Sequence, residues 1–242
     1  MSLANRRITD SNKKLKRWRL TLLVTLIFFT CISAVSFSYK YYSLEEASSK
    51  MERIERTLQN LRAAMNVDSV RQYNIQKIMK IIEQYNSSLS SSKKYEIADE
   101  IYRMSVKYTN LDVDLICATI THETALTWRL DIVSQAGAMG LMQIMPGTGV
   151  FLAQYEGITW TTPEAVLFDP IYNIRLGCRY LSTLIDLYQL DGGLAAYNGG
   201  EKRAALWIAK NREEGILVAE TRGYIPAIMA LYEKFRNEGG VL

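Results

Sequence analysis

The segment VDLICATITHE, residues 113–123, decides the fold. Val113, Ile116 and Ile120 fall three and four residues apart, the spacing of one helix face, and the next position on that face is Glu123. A carboxyl ending an apolar stripe is partly buried, and burial disfavours its charged form, so its pKa rises above the ~4.3 of a free glutamate. An acid that keeps its proton near neutral pH can act as a general acid. A helix-terminal Glu can also accept a purely structural hydrogen bond, and the helix by itself leaves both readings open. Asp112, directly before the stripe, is an N-cap residue.

Working outward, GAMGLMQIMP (137–146) is too apolar and too rich in glycine for a solvated loop, and AAYNGG (195–200) sets Tyr197 and Asn198 between small residues. Such segments let a backbone approach a ligand closely. Asp169-Pro170 is an N-cap followed by Pro at the first helical position, opening a helix that presents Ile174, Cys178, Leu181, Ile185 and Tyr188 on one face. Few runs alternate with period two, so the expected class is mainly α, with minor, local β-structure.

At these residues the chain resembles the lytic transglycosylases of the soluble-lytic-transglycosylase (SLT) type, of the lysozyme-like superfamily. The resemblance runs in order through Glu123-Thr124, SQAGAMGLMQIMP (134–146), Phe168-Asp169-Pro170, NIRLG (173–177), AYNGG (196–200), Glu220-Thr221 and Tyr224. It covers roughly Tyr95 to Phe235. Ordered motifs over that span are far more specific than a lone glycine pattern. Two departures stand out: Thr124 replaces the Ser that usually follows the catalytic Glu, and the stretch from Glu123 to Ser134 is two residues longer than the usual pattern.

The resemblance implies cleavage of the β-1,4 bond between N-acetylmuramic acid and N-acetylglucosamine in peptidoglycan, with no cofactor. Glu123 would protonate the glycosidic oxygen, the substrate's acetamido group would stabilise the cation, and Glu123 would then take the proton of the muramic C6 hydroxyl, closing a 1,6-anhydro ring. Ser134, Gln143 and Tyr197 would hold the sugar or its acetamido group. Met142, Asn198, Glu220 and Tyr224 would line or buttress the cleft. Ordinary glycosidases need two carboxylates across the scissile bond, and the motif region offers no obvious second one; Asp131 is the nearest acid ahead of Ser134. A goose-lysozyme-type hydrolase and a non-catalytic peptidoglycan-binding scaffold are the alternatives. A pure binder has no use for a carboxyl on an apolar face.

The first third reads differently. Seven basic residues and Asp10 precede residue 20 and sum to +6, so with a net charge of +4 the remainder carries −2. A basic nucleic-acid surface is therefore excluded. The basic head, 1–19, is followed by an uncharged run, 20–39, long enough at ~1.5 Å per residue to span the ~30 Å core of a plasma membrane. The positive flank places the N-terminus in the cytoplasm and the rest outside, periplasmic in a Gram-negative cell. An uncleaved anchor is the preferred reading over a signal peptide cut after Ala34 and Ser36, since the run exceeds the usual h-region.

A helical stalk, 40–86, follows. Leu44, Ala47, Met51, Ile54, Leu58, Leu61 and Met65 alternate spacings of three and four, as in a coiled-coil seam that self-associates or binds a partner helix; an amphipathic helix folded back on the catalytic domain fits the same pattern. Asp68 and Ser69 break the seam and can cap a second helix. The serine-rich segment 87–94 reads as a linker, which leaves 95–242 for the catalytic domain. Cys117 and Cys178 sit on apolar faces, where free thiols are expected over a bridge. One histidine, His122, and scattered cysteines give no metal-ligand spacing; His122 is read as a packing or surface residue.

Overall fold

The computed structural model describes the backbone of residues 3–238 and the side chains of 16–238. The helices are α1 (Leu3–Tyr85), α2 (Ser91–Lys107), α3 (Val113–Glu123), α4 (Pro146–Glu156), α5 (Pro163–Leu167), α6 (Pro170–Gly199), α7 (Glu201–Ala209) and α8 (Ala219–Glu238). Isolated bridges pair Val133 with Met139 and Met139 with Ile144; they are the only β-pairing among the described residues. The chain divides into two compact units, residues 1–66 and 67–242.

Among the described residues the first unit is helix alone. Its apolar residues from Leu20 to Tyr39 are exposed, and this part of α1 is long and apolar enough to cross a membrane, with a mean hydropathy of 2.3 over its most apolar window. Leu44, Met51, Ile54, Leu58, Leu61 and Met65 are exposed as well.

The second unit begins well before residue 95. Ile75, Ile78, Ile81 and Ile82 of α1 are buried in its core with Ile97, Ile101 and Phe235. The spacing of these isoleucines makes one face of α1 apolar, and burial of each contributes roughly 1.5–3 kcal/mol. The segment 87–94, read as a linker, is instead a capped turn inside this unit. Ser90 accepts from the Lys93 amide at 3.2 Å, and the buried Lys94 ammonium pairs with Glu83 and donates to the Ser87 carbonyl. Its polar composition reflects capping rather than freedom. Likewise α1 runs through Asp68 and Ser69 without a break.

Helix α3 lies at the centre, buried from Val113 through Thr121 and packed against α2 and α8. Asp112 caps it by accepting from the Leu115 amide at 2.8 Å, and Asp169 caps α6 through the Ile171 and Tyr172 amides. Two buried carboxylates tie the surrounding helices. Glu100 of α2 takes a forked bond from Arg175 of α6, 2.6 and 3.1 Å, while Glu156 of α4 accepts from Lys107, Tyr108 and Arg179. A buried carboxylate satisfied by several donors fixes register more than it adds stability. Cys117 and Cys178 are free and buried, and burial pushes both thiols up.

Candidate active site

Glu123 is the last residue of α3 and keeps only a partial opening to solvent. Burial pushes its pKa up to about 7; the nearby Glu220 carboxylate adds to the rise, while a hydrogen bond from Tyr224 opposes it. That bond joins α8 to α3: the Tyr224 hydroxyl donates to Glu123 Oε1 at 2.6 Å. His122, half-buried, sets its ring edge-on to Tyr224 at 4.8 Å, and burial holds its pKa down, so it packs as a neutral ring. Burial first, and then the Glu123 charge, push the phenols of Tyr197 and Tyr224 well up. Both stay neutral donors.

The end of α3 is held from below. Thr124 is fully buried; its hydroxyl donates to the Ile120 carbonyl and accepts from the Trp128 amide at 3.0 Å. Trp128, also fully buried, donates its indole N–H to the Thr121 hydroxyl at 2.9 Å, and its carbonyl accepts from Asn86 at 3.1 Å. Neither Thr121 nor Trp128 was expected from the sequence to support the site. The signal available was a pair of hydroxyls at i−4 and i−7 from an aromatic capable of one hydrogen bond.

Ser134, Met142 and Gln143 lie in the segment from Ile132 to Met145, between α3 and α4. Ser134 accepts from the Ala138 amide at 3.0 Å, closing a turn through Gly137, and its hydroxyl proton is left for another partner. Gln143 has φ 47, a left-handed backbone that a side chain rarely adopts. Its amide nitrogen donates to the carbonyls of Gly140 (2.8 Å) and Ile132 (3.3 Å), which commits both hydrogens and leaves Oε1 as the atom that can accept from a ligand. Gly140 is needed where it stands: its φ is 77, and a Cβ there would collide with the Leu167 carbonyl and the Asn173 amide.

Met142 is clamped by its backbone. Its N–H donates to Asn173 Oδ1 at 2.7 Å and its carbonyl accepts from the Tyr197 hydroxyl at 2.7 Å. The Met142 side chain is fully buried against Gly177 and Cys178. It packs inside the core, because Gly177 leaves room for the thioether there. Tyr197, read as a sugar-holding residue, spends its proton on the Met142 carbonyl, so only its hydroxyl lone pairs and ring remain for a ligand. Asn173 was visible in the sequence only as part of a motif. It is fully buried, with its amide also donating to the Met139 and Leu167 carbonyls, both at 2.9 Å. Asn198 accepts from the Thr221 hydroxyl at 2.7 Å, and Glu220, at the start of α8, is exposed. Thus Glu123, Tyr197, Tyr224 and Glu220 come together electrostatically, and the Ser134–Gln143 loop is tied to them through Met142.

The arrangement is mainly helical, with one largely buried carboxyl ending α3 and its pKa raised to about 7. Residues 100–218 match the model of the transglycosylase SLT domain. The chain is 34% identical over 122 residues to the soluble lytic murein transglycosylase of Escherichia coli K12, covering 45% of this chain and 18% of that protein. It is also 34% identical over 110 residues to the membrane-bound lytic murein transglycosylase C of Photorhabdus laumondii, covering 41% of this chain and 30% of the relative. Among solved structures, the 70 kDa soluble lytic transglycosylase of Escherichia coli superposes with a TM-score of 0.53 at 28% identity, covering 66% of this chain and 26% of that one. The chain spans less than a third of the length of each of these relatives.

Proposed function

We propose that this protein is a membrane-anchored lytic transglycosylase that cuts peptidoglycan glycan strands and leaves 1,6-anhydro-N-acetylmuramic acid ends. The observation that carries the reading is Glu123, a carboxyl with a pKa of about 7, held by Tyr224 and partly open to solvent. Protonated, it gives its proton to the glycosidic oxygen as the C1–O bond breaks. The carboxylate so formed takes the proton of the C6 hydroxyl as that oxygen bonds to C1, which returns Glu123 to its starting state and consumes no water. A pKa near the working pH suits one group to both transfers.

Gln143 Oε1 and the Ser134 hydroxyl offer an acceptor and a donor to the sugar's acetamido group. On this reading Tyr197 and Asn198 border the bound glycan, Glu220 contributes charge beside it, and Met142 and Tyr224 act from behind. The apolar run 20–39 anchors the chain in the plasma membrane with the basic head, 1–19, in the cytoplasm and the catalytic unit outside. The exposed seam from Leu44 to Met65 serves association with a second helix.

Mass analysis of products from purified sacculi tests the chemistry. The wild-type chain should release muropeptides lighter by one water than lysozyme products. Glu123→Gln should lose ~10²-fold or more of turnover while still binding glycan. Reducing-end products would mark a goose-lysozyme-type hydrolase, and full activity in Glu123→Gln would remove that residue from the mechanism.

A further inference from the structure

The seam on α1 is an exposed apolar stripe that the catalytic reading leaves unused. Leu44, Met51, Ile54, Leu58, Leu61 and Met65 are 48–70% exposed, and the first unit, being one helix, contains no element that covers them. With Leu44 at position a, the stripe runs a, d, a, d, a, d, a through Ala47, Met51, Ile54, Leu58, Leu61 and Met65, and Asp68 ends it at the next d position. No charged residue occupies a or d between Leu44 and Met65.

The flanking charges select the partner. In a parallel pair, each g residue faces the e residue five positions on in the other helix. In two copies of this chain, Lys50 at g meets Glu55 at e, and this happens on both sides of the seam. The other such pairs, Ser43 with Ser48, Thr57 with Arg62 and Ala64 with Ser69, bring no like charges together. Lys50 pairs with Glu46 along its own helix at 2.7 Å, but both side chains are about two-thirds exposed, so the ammonium is available to a neighbour. Resting on the membrane anchor proposed above, two copies enter the seam from the same side and in the same direction. We infer that residues 44–65 form a parallel, in-register two-stranded coiled coil with a second copy of this chain, pairing two catalytic units above one point on the membrane. Three heptads are a short seam, and confinement to a bilayer supplies the effective concentration that it needs.

The test uses the full-length chain in native membranes with Cys31→Ser as background; Cys117 and Cys178 are buried and do not compete. Leu58→Cys places a thiol at a, and Ala63→Cys places one at the outward f position. Under mild oxidation, disulfide-linked dimers should form about tenfold faster at 58 than at 63. Lys50→Glu opposes like charges on both sides of the seam and should slow the reaction at 58 several-fold, and adding Glu55→Lys should restore it. Equal rates at the two positions, indifference to Lys50→Glu, absence of dimers, or cross-links solely to another protein would each overturn the pairing. Carbonate washing scores the anchor separately, since the cross-link is read in whichever fraction holds the chain. A retained chain without the Leu58→Cys dimer sinks the pairing alone.

Discussion

Replacing Glu123 by Gln should stabilise the protein above neutral pH and leave its stability unchanged in acid. In the unfolded chain the carboxyl ionises near 4.5, whereas in the fold it holds its proton until about 7. Between those values the folded state binds the extra proton, so stability falls as pH rises through the window, and the deficit is complete above 7. The two values differ by about two and a half units, which at ~1.36 kcal/mol each is roughly 3 kcal/mol. Glutamine keeps the shape and accepts from Tyr224, but it carries no charge to desolvate. For a unit of this size, roughly 3 kcal/mol corresponds to about 6–12 °C in Tm. Thermal melts of wild type and Glu123→Gln in detergent, at pH 4 and pH 8, isolate this residue because all other titrations cancel in the difference. Coincident melting at pH 4 and a higher Tm for the variant at pH 8 are expected. Equal Tm at both pH values would refute the claim that burial holds the proton on Glu123, and with it the general-acid argument.

Three further outcomes follow from the same geometry. Tyr224→Phe removes the bond that favours the Glu123 carboxylate; a hydrogen bond to a charge is worth ~1.5–3 kcal/mol, so the alkaline limb of kcat/KM should move up by roughly 1–2 pH units in a pH–rate profile. Tyr197→Phe leaves the Met142 carbonyl without its donor and should lower stability by ~1–3 kcal/mol in denaturant melts, with a smaller loss of activity than Glu123→Gln. Protease added to spheroplasts should digest the catalytic unit and spare the basic head; a soluble form beginning near Phe37 would establish cleavage of the anchor.

The parts of the site legible in the sequence were those set by local period and capping. The apolar stripe ending in Glu123 and the caps at Asp112 and Asp169 depend on residues within one or two turns of each other, and the structure keeps them. The bonds that tune the site join distant positions: Tyr224 to Glu123 spans 101 residues and Tyr197 to Met142 spans 55. No local pattern encodes such partners, so the resemblance to SLT enzymes could mark Tyr197 without revealing that its proton goes to a backbone carbonyl. That the last turns of α1 belong to the second unit was missed for a related reason. The isoleucines from Ile75 to Ile82 continue a helical pattern already under way, and only tertiary packing distinguishes the exposed stripe before residue 66 from the buried face after it.

The stretch from Glu123 to Ser134, read in the sequence as longer than the family pattern, is strained next to the buried carboxyl. Ala125, Leu126 and Trp128 all take positive φ, a conformation costing of order 1–3 kcal/mol each outside glycine. The structure offsets this with the fully buried Trp128 ring and three hydrogen bonds, from the Trp128 amide to Thr124, from its indole to Thr121, and to its carbonyl from Asn86. Thr121 and Thr124 belong to the turn of α3 that carries Glu123, so the strained loop is pinned to the helix end that it could otherwise displace. Asn86 belongs to the turn between α1 and α2. The segment whose serines suggested a free linker thus begins beside a residue that braces the loop after α3, and the α1–α2 turn helps to hold Glu123 in position.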